Sequence, residues 1–288
     1  MRRVLPVLGI LFAVSGPAGF ASLEQHRDSL AFRSSRPGEI VVPVTVNGTG
    51  PFPFLLDTGS SHTAVSSSLA RQLGAAPVAK TVVTSPLGED VRGVVRLDHV
   101  ILGPVTAKAV MASVVPDDAL CPEHRIRGLL GQDVLALSRY TLDFRDRLVI
   151  WGDPADPPGH VVSLGMTPSA GRYLVDVPQG EAMLRLVPDS GAESVVLFAG
   201  TRQLPVVIAT RAGKRELSTL TERASVEEIR LEQLQVGPHK WRDLPAVLLS
   251  RPAVAPSEGD GLLPLHLFDR VTVDAPGRRL IVGSSPPP

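Results

Sequence analysis

The chain has 288 residues, 43% of them apolar and 20% charged, a composition that fills packed cores and is too apolar for a disordered chain. Lys plus Arg and Asp plus Glu both number 29, and no run of five or more basic residues occurs. That balance argues against nucleic acid as a partner and against a polybasic membrane patch. The single cysteine, Cys121, allows no internal disulfide. It reads as a small, partly buried apolar residue and not as a nucleophile.

In chain order, residues 1–21 have the pattern of an export leader. Arg2 and Arg3 precede an apolar run from Val4 to Val14, and the small residues Gly19 and Ala21 stand where a leader is cut. The run is shorter than the ~20 residues a membrane span needs. The expectation is a periplasmic or secreted protein with no membrane attachment once the leader is removed. An N-terminal segment follows at 22–38. The first folded unit is expected at 39–152, a Pro-rich linker at 153–164, a second unit at 165–284 and a tail at 285–288.

Most of the chain has strand character. Ile40 to Val46 alternates with β-branched residues, and Lys80 to Leu97 reads as a hairpin turning at Pro86-Leu87-Gly88. Leu142 to Trp151 contains another hairpin around Arg145-Asp146-Arg147. A short helix is expected over Ser68–Leu73, capped by Ser66 or Ser67 and ended by Gly74. Many short strands between turn signals predict an all-β architecture.

The sequence also repeats. Asp57 in FPFLLDTGSSHTAV stands 132 residues before Asp189 in AMLRLVPDSGAESVV. RLDHVILGPV at Arg96 returns as RLEQLQVGPH at Arg230, 134 residues on, and GLLGQDVL at Gly128 as GLLPLHLF at Gly261, 133 residues on. Arg147-Leu148-Val149-Ile150 matches Arg279-Leu280-Ile281-Val282 at 132. Four landmarks in one order at near-constant offset mark a duplication, and two copies are too few for a solenoid.

Duplication gives the two Asp-Thr/Ser-Gly tripeptides their meaning. One alone is a turn signal. Two at equivalent positions of a repeated unit meet across a pseudo-two-fold axis, as equivalent residues do in an isologous dimer. Two carboxylates held together cannot both ionise easily, so they share a proton. The ionised member can take a proton from water while the protonated one donates to a carbonyl, which is general acid–base hydrolysis without a cofactor or metal. Thr58 and Ser190 supply hydroxyls that can bond across the axis. Gly59 and Gly191 leave room for a tight turn and offer N–H groups to the carboxylates.

With these motifs the sequence resembles the aspartic proteases of the retropepsin and pepsin type. Leu55-Leu56-Asp57-Thr58-Gly59-Ser60 and Leu186-Val187-Pro188-Asp189-Ser190-Gly191-Ala192 fit the family's apolar run and catalytic tripeptide. Leu129-Leu130-Gly131 fits the segment that threads behind the catalytic loop, and Leu262-Leu263-Pro264 stands in its place in the second half. The resemblance spans about residues 39 to 284. It implies two pseudo-symmetric acid-protease-type β-barrel lobes with short helices and a cleft between them. It further implies an aspartic endopeptidase that binds an extended peptide or protein substrate as a monomer. Asp57 and Asp189 would be catalytic, supported by Thr58, Gly59, Ser60, Ser190, Gly191 and Ala192, with Ser85, Pro86, Leu87 and Gly88 at the flap tip. The alternative is a catalytically impaired protease fold that binds peptides, suggested by Pro188 before the second Asp and by Pro264.

Four subsidiary expectations follow. His62 is placed at the surface or cleft rim, and Asp133 is read as structural. The charged second-half hairpin, Lys214 to Ile229, is read as a surface element more than as a flap. Ser60, as a hydroxyl donor that Ala192 cannot match, is expected to make Asp57 the more readily ionised of the pair and Asp189 the proton holder.

Overall fold

The computed structural model describes residues 28–120, 125–152, 160–199, 204, 206, 208–218, 221, 223–250 and 259–284. The leader, Cys121, the DPADPPG part of the linker and the tail lie outside the described residues.

The first half runs through strands β1 (Ser29–Ala31), β2 (Val41–Val46), β3 (Thr49–Leu56) and β4 (Ala64–Ser66), helix α1 (Ser67–Gln72), strands β5 (Pro77–Thr84), β6 (Glu89–Leu102), β7 (Val105–Val115) and β8 (Gly128–Leu130), helix α2 (Gln132–Leu135), and strands β9 (Arg139–Asp143) and β10 (Leu148–Trp151). The second half contains β11 (His160–Ser169), β12 (Arg172–Gln179), β13 (Ala182–Asp189), β14 (Val195–Ala199), β15 (Ile208–Ser218), β16 (Arg223–Val236), β17 (His239–Ser250), β18 (Gly261–Pro264), β19 (Arg270–Asp274) and β20 (Arg279–Ser284). Period-2 patterning builds them: in β3, Phe52, Phe54 and Leu56 are buried while Pro53 and Leu55 between them are not fully so. Helix α1 begins where its cap chemistry dictates, with the Ser66 hydroxyl accepting from the Leu69 N–H.

Both halves share one topology. Strand β8 runs parallel to β3 and antiparallel to β4. Strand β18 runs parallel to β13 and antiparallel to β14. The two halves join through six strands in the order β1-β10-β9-β19-β20-β11, three from each half. At the centre of this sheet Thr141 lies opposite Thr272, 131 residues away, and their buried hydroxyls are 2.7 Å apart. The pseudo-two-fold axis passes here.

Strand β11 corrects the expected linker. Its residues His160 to Gly165 pair with β20, so the chain is already sheet at 160–164. The strand then bends into the second lobe, where Met166 to Ser169 pair with β12. The apolar residues Val161, Val162 and Leu164 suit a strand, and the Pro-rich composition that marked a linker ends at Gly159. The main apolar core draws on both halves, from Phe32 and Phe54 to Leu263 and Val282.

Candidate active site

Each of the two aspartates stands at the C-terminal end of a strand whose inward residues are packed in the core. Asp57 follows β3, and Asp189 is the last residue of β13. The two loops are stitched by a reciprocal set of four bonds. The Thr58 N–H donates to Ser190 Oγ at 3.0 Å, and the Ser190 N–H donates to Thr58 Oγ1 at 2.9 Å. Each hydroxyl then donates onward to a strand carbonyl of the other half, Thr58 to Pro188 and Ser190 to Leu56, both at 2.8 Å. Equal lengths of these onward bonds show that Pro188 leaves the lattice intact: it contributes its carbonyl, and the N–H it lacks, whose counterpart on Leu56 bonds the Ile40 carbonyl at 2.9 Å, is not part of it. Thr58 and Ser190 are 2% and 0% exposed.

The carboxyls are held in mirror fashion. Asp57 Oδ1 accepts from the N–H groups of Gly59 and Ser60 at 2.9 and 3.1 Å. Asp189 Oδ1 accepts from Gly191 and Ala192 at 2.7 and 3.1 Å. The two carboxyl groups face each other closely enough for each to perturb the other's ionisation. The closeness is visible at Gly59, where an added Cβ would stand 2.5 Å from the Asp189 carboxyl carbon. Any side chain there would push the pair apart.

Electrostatics couple the pair. Burial, followed by the facing Asp189 charge, pushes Asp57 well above the usual carboxylate range. Burial also raises Asp189, against the pull of the Gly191 and Ala192 amides, the facing Asp57 and the Arg172 guanidinium. The two carboxyls titrate as one unit that holds a shared proton. The Ser60 hydroxyl, on which the expected order of ionisation rested, donates to the His62 carbonyl at 2.9 Å and not to a carboxylate.

Behind the first loop, Leu129-Leu130-Gly131 passes so close that an added Cβ on Gly131 would lie 2.5 Å from the His62 backbone. The Gln132 amide donates to the Thr58 carbonyl at 2.8 Å, a support that sequence reading missed because glutamine carries no motif signal. Asp133 accepts from the Thr63 hydroxyl at 2.7 Å, a structural bond. His62 is exposed, with Nδ1 2.8 Å from the Ser61 hydroxyl.

The expected flap is the β5–β6 hairpin, with Ser85, Pro86, Leu87 and Gly88 in its turn and the Ser85 N–H bonded to the Gly88 carbonyl at 2.8 Å. Leu87 packs against a second-half cluster that includes Leu174, Val187, Val226 and Leu262. The β15–β16 hairpin departs from expectation. It reaches the flap: Thr221, at its turn, lies with its hydroxyl 2.5 Å from that of Ser85. Its charges misled the sequence reading. They lie along the strands, as in the Arg211–Glu227 pair, while Leu217 and Val226 on the other face join the cluster under Leu87.

Residues 42–134 match the family model described as Aspartyl protease. No curated protein matches the chain in sequence. Among solved structures, the aspartic proteinase from Irpex lacteus superposes with a TM-score of 0.53 at 13% identity, over 90% of this chain and 97% of that one. The fold is that of the pepsin-like aspartic proteinases, and the first half carries the family's sequence signature.

Proposed function

We propose that this protein, with an aspartic protease's fold and paired aspartates, is an aspartic endopeptidase whose dyad is Asp57 and Asp189. The observation that carries the reading is the close-set carboxyl pair held by the reciprocal Thr58–Ser190 lattice. The ionised member of the pair would take a proton from a water between the carboxyls as its oxygen attacks the peptide carbonyl. The protonated member would hydrogen-bond the developing oxyanion and supply the proton. The tetrahedral intermediate would then collapse with proton transfer to the leaving amine. An extended peptide would lie across the dyad, roofed by the two hairpins, and add main-chain hydrogen bonds as a strand does. The intact lattice around Pro188 weighs against the impaired, binding-only alternative. The leader pattern at 1–21 supports export to the periplasm or beyond. The test is cleavage of an unbiased peptide library by the wild type and by D57N and D189N, read by mass spectrometry. Cleavage lost in both variants, with folding retained, supports the proposal, and cleavage retained in either overturns it.

A further inference from the structure

The duplication provides an internal control for the two edges of the cleft. In each half, a turn of the chain crosses to touch the other half's catalytic loop. From the first half, the turn ending at Gly38 (φ +81°) packs on the second loop, where an added Cβ would lie 2.5 Å from the Ala192 carbonyl oxygen. From the second half, the turn at Ala170-Gly171 (Gly171 φ +76°) packs on the first loop, where an added Cβ would lie 2.9 Å from Ser61 Cβ. Gly38 and Gly171 are 133 residues apart, so the repeat aligns them, and with them Glu39 and Arg172. Gly171 faces Ser61 and Gly38 faces Ala192; the second-loop counterpart of Ser61, 132 residues on, is Glu193, next to Ala192.

At the Gly38 edge Glu193 and Glu39 are both paired within the chain. Glu193 receives Arg36 at 2.9 Å and Arg215 at 3.6 Å. Glu39 accepts from the N–H and hydroxyl of Ser35 at 2.9 and 2.6 Å and lies 3.8 Å from Arg36. The Gly171 edge differs. Arg172 is half-buried and makes no ion pair among the described residues. On this edge the loop position equivalent to Glu193 is Ser61, which carries no charge. Asp133, the acid behind that loop, is engaged by Thr63. Arg172 follows Gly171, which packs on Ser61 four residues beyond Asp57, and its charge helps to hold Asp189 down.

We propose that Arg172 is a specificity-determining residue that receives a carboxylate of the bound peptide, so that an acidic residue on one side of the scissile bond favours cleavage. The proposal rests on the endopeptidase reading for its outcome but not for its binding event. A half-buried guanidinium is already partly stripped of water, and a carboxylate beside it restores the lost interaction in fork geometry. The opposite edge, with its cations already matched, offers no such gain.

The probes are neutral peptides, taken from sequences the library assay finds cleaved or, if none is cleaved, drawn from the same library without selection, with a single Glu or Gln walked through each position. The wild type should show a kcat/KM ratio of Glu over Gln of about 5–10 on one side of the scissile bond, the scale of a partly screened ion pair. The ratio should fall to about 1 in R172M, and also in S61E, which supplies the carboxylate from within. Binding of the same peptides to D57N, followed by fluorescence anisotropy, separates the two readings. Acid-preferring binding without any wild-type cleavage keeps the role of Arg172 and removes the endopeptidase. Cleavage with no acid preference, or with a preference that survives R172M, overturns the role of Arg172 and leaves the endopeptidase standing. Absence of both binding and cleavage overturns both.

Discussion

At the scale of single residues, the two carboxyls act as one group. D57N or D189N alone should lower kcat by at least about 10²–10⁴-fold, the usual worth of acid–base catalysis, and the double variant should lose little more. Single-turnover rates on a cleaved peptide check this. Burial also links the pair to stability. A carboxyl whose pKa is raised on folding binds its proton more tightly in the folded chain. Its stabilising contribution is therefore complete below the ordinary carboxylate range and is lost as pH rises through the raised value. Asp57 is raised well above that range. Relative to wild type, D57N should gain melting temperature at neutral pH and lose that gain in acid. Melting curves at both pH values test the sign. Ser60 gives a sharper check: because its hydroxyl bonds the His62 carbonyl, S60A should leave the acidic limb of the pH–rate profile in place. A shifted limb would support the order expected from sequence. The acceptor of the Ser60 hydroxyl was not legible in the sequence for a physical reason. A hydroxyl can rotate to any acceptor within reach, and sequence does not show which one wins.

At the scale of elements, the loop lattice and the hairpins make separate demands. T58V removes two bonds and leaves the Pro188 carbonyl and the Ser190 N–H without partners in a buried site. The cost should be about 2–5 kcal/mol, seen as a lower midpoint in urea. The flap is held by packing more than by polar contact. L87A should raise KM with little change in kcat, because Leu87 closes the roof on the second-half cluster and stands away from the reacting bond. Steady-state kinetics separate the two parameters. Elements with strong local signals were legible: helix α1 with its serine cap, β2, the β9–β10 hairpin and the first flap all lie within a few residues of their expected places. The start of β11 and the role of the β15–β16 hairpin were not. Both depend on a partner distant in sequence, β20 in one case and the Ser85 turn in the other.

At the scale of the whole molecule, the repeat made the site legible. No single Asp-Thr/Ser-Gly tripeptide identifies a dyad, but the constant offset placed Asp57 and Asp189 on one axis, where the structure has them. The axis also runs through Thr141 and Thr272 in the six-stranded sheet. That sheet binds half to half by strand pairing, so an excised first half, residues 28–152, would present β9 as an open edge. Such a half should be unstable alone and should self-associate, with Thr141 meeting its own copy, as sedimentation would show. In the intact chain the two halves share one covalent thread, and each meets the other at an effective concentration of about millimolar, whatever the bulk dilution. Specific activity should therefore stay constant on dilution to nanomolar chain, where a pair of separate halves would fall apart. Linking the halves also ends the requirement that they be identical. One copy can hold Glu39 and Ser61 where the other holds Arg172 and Glu193, giving the cleft a direction that no symmetric dimer can encode.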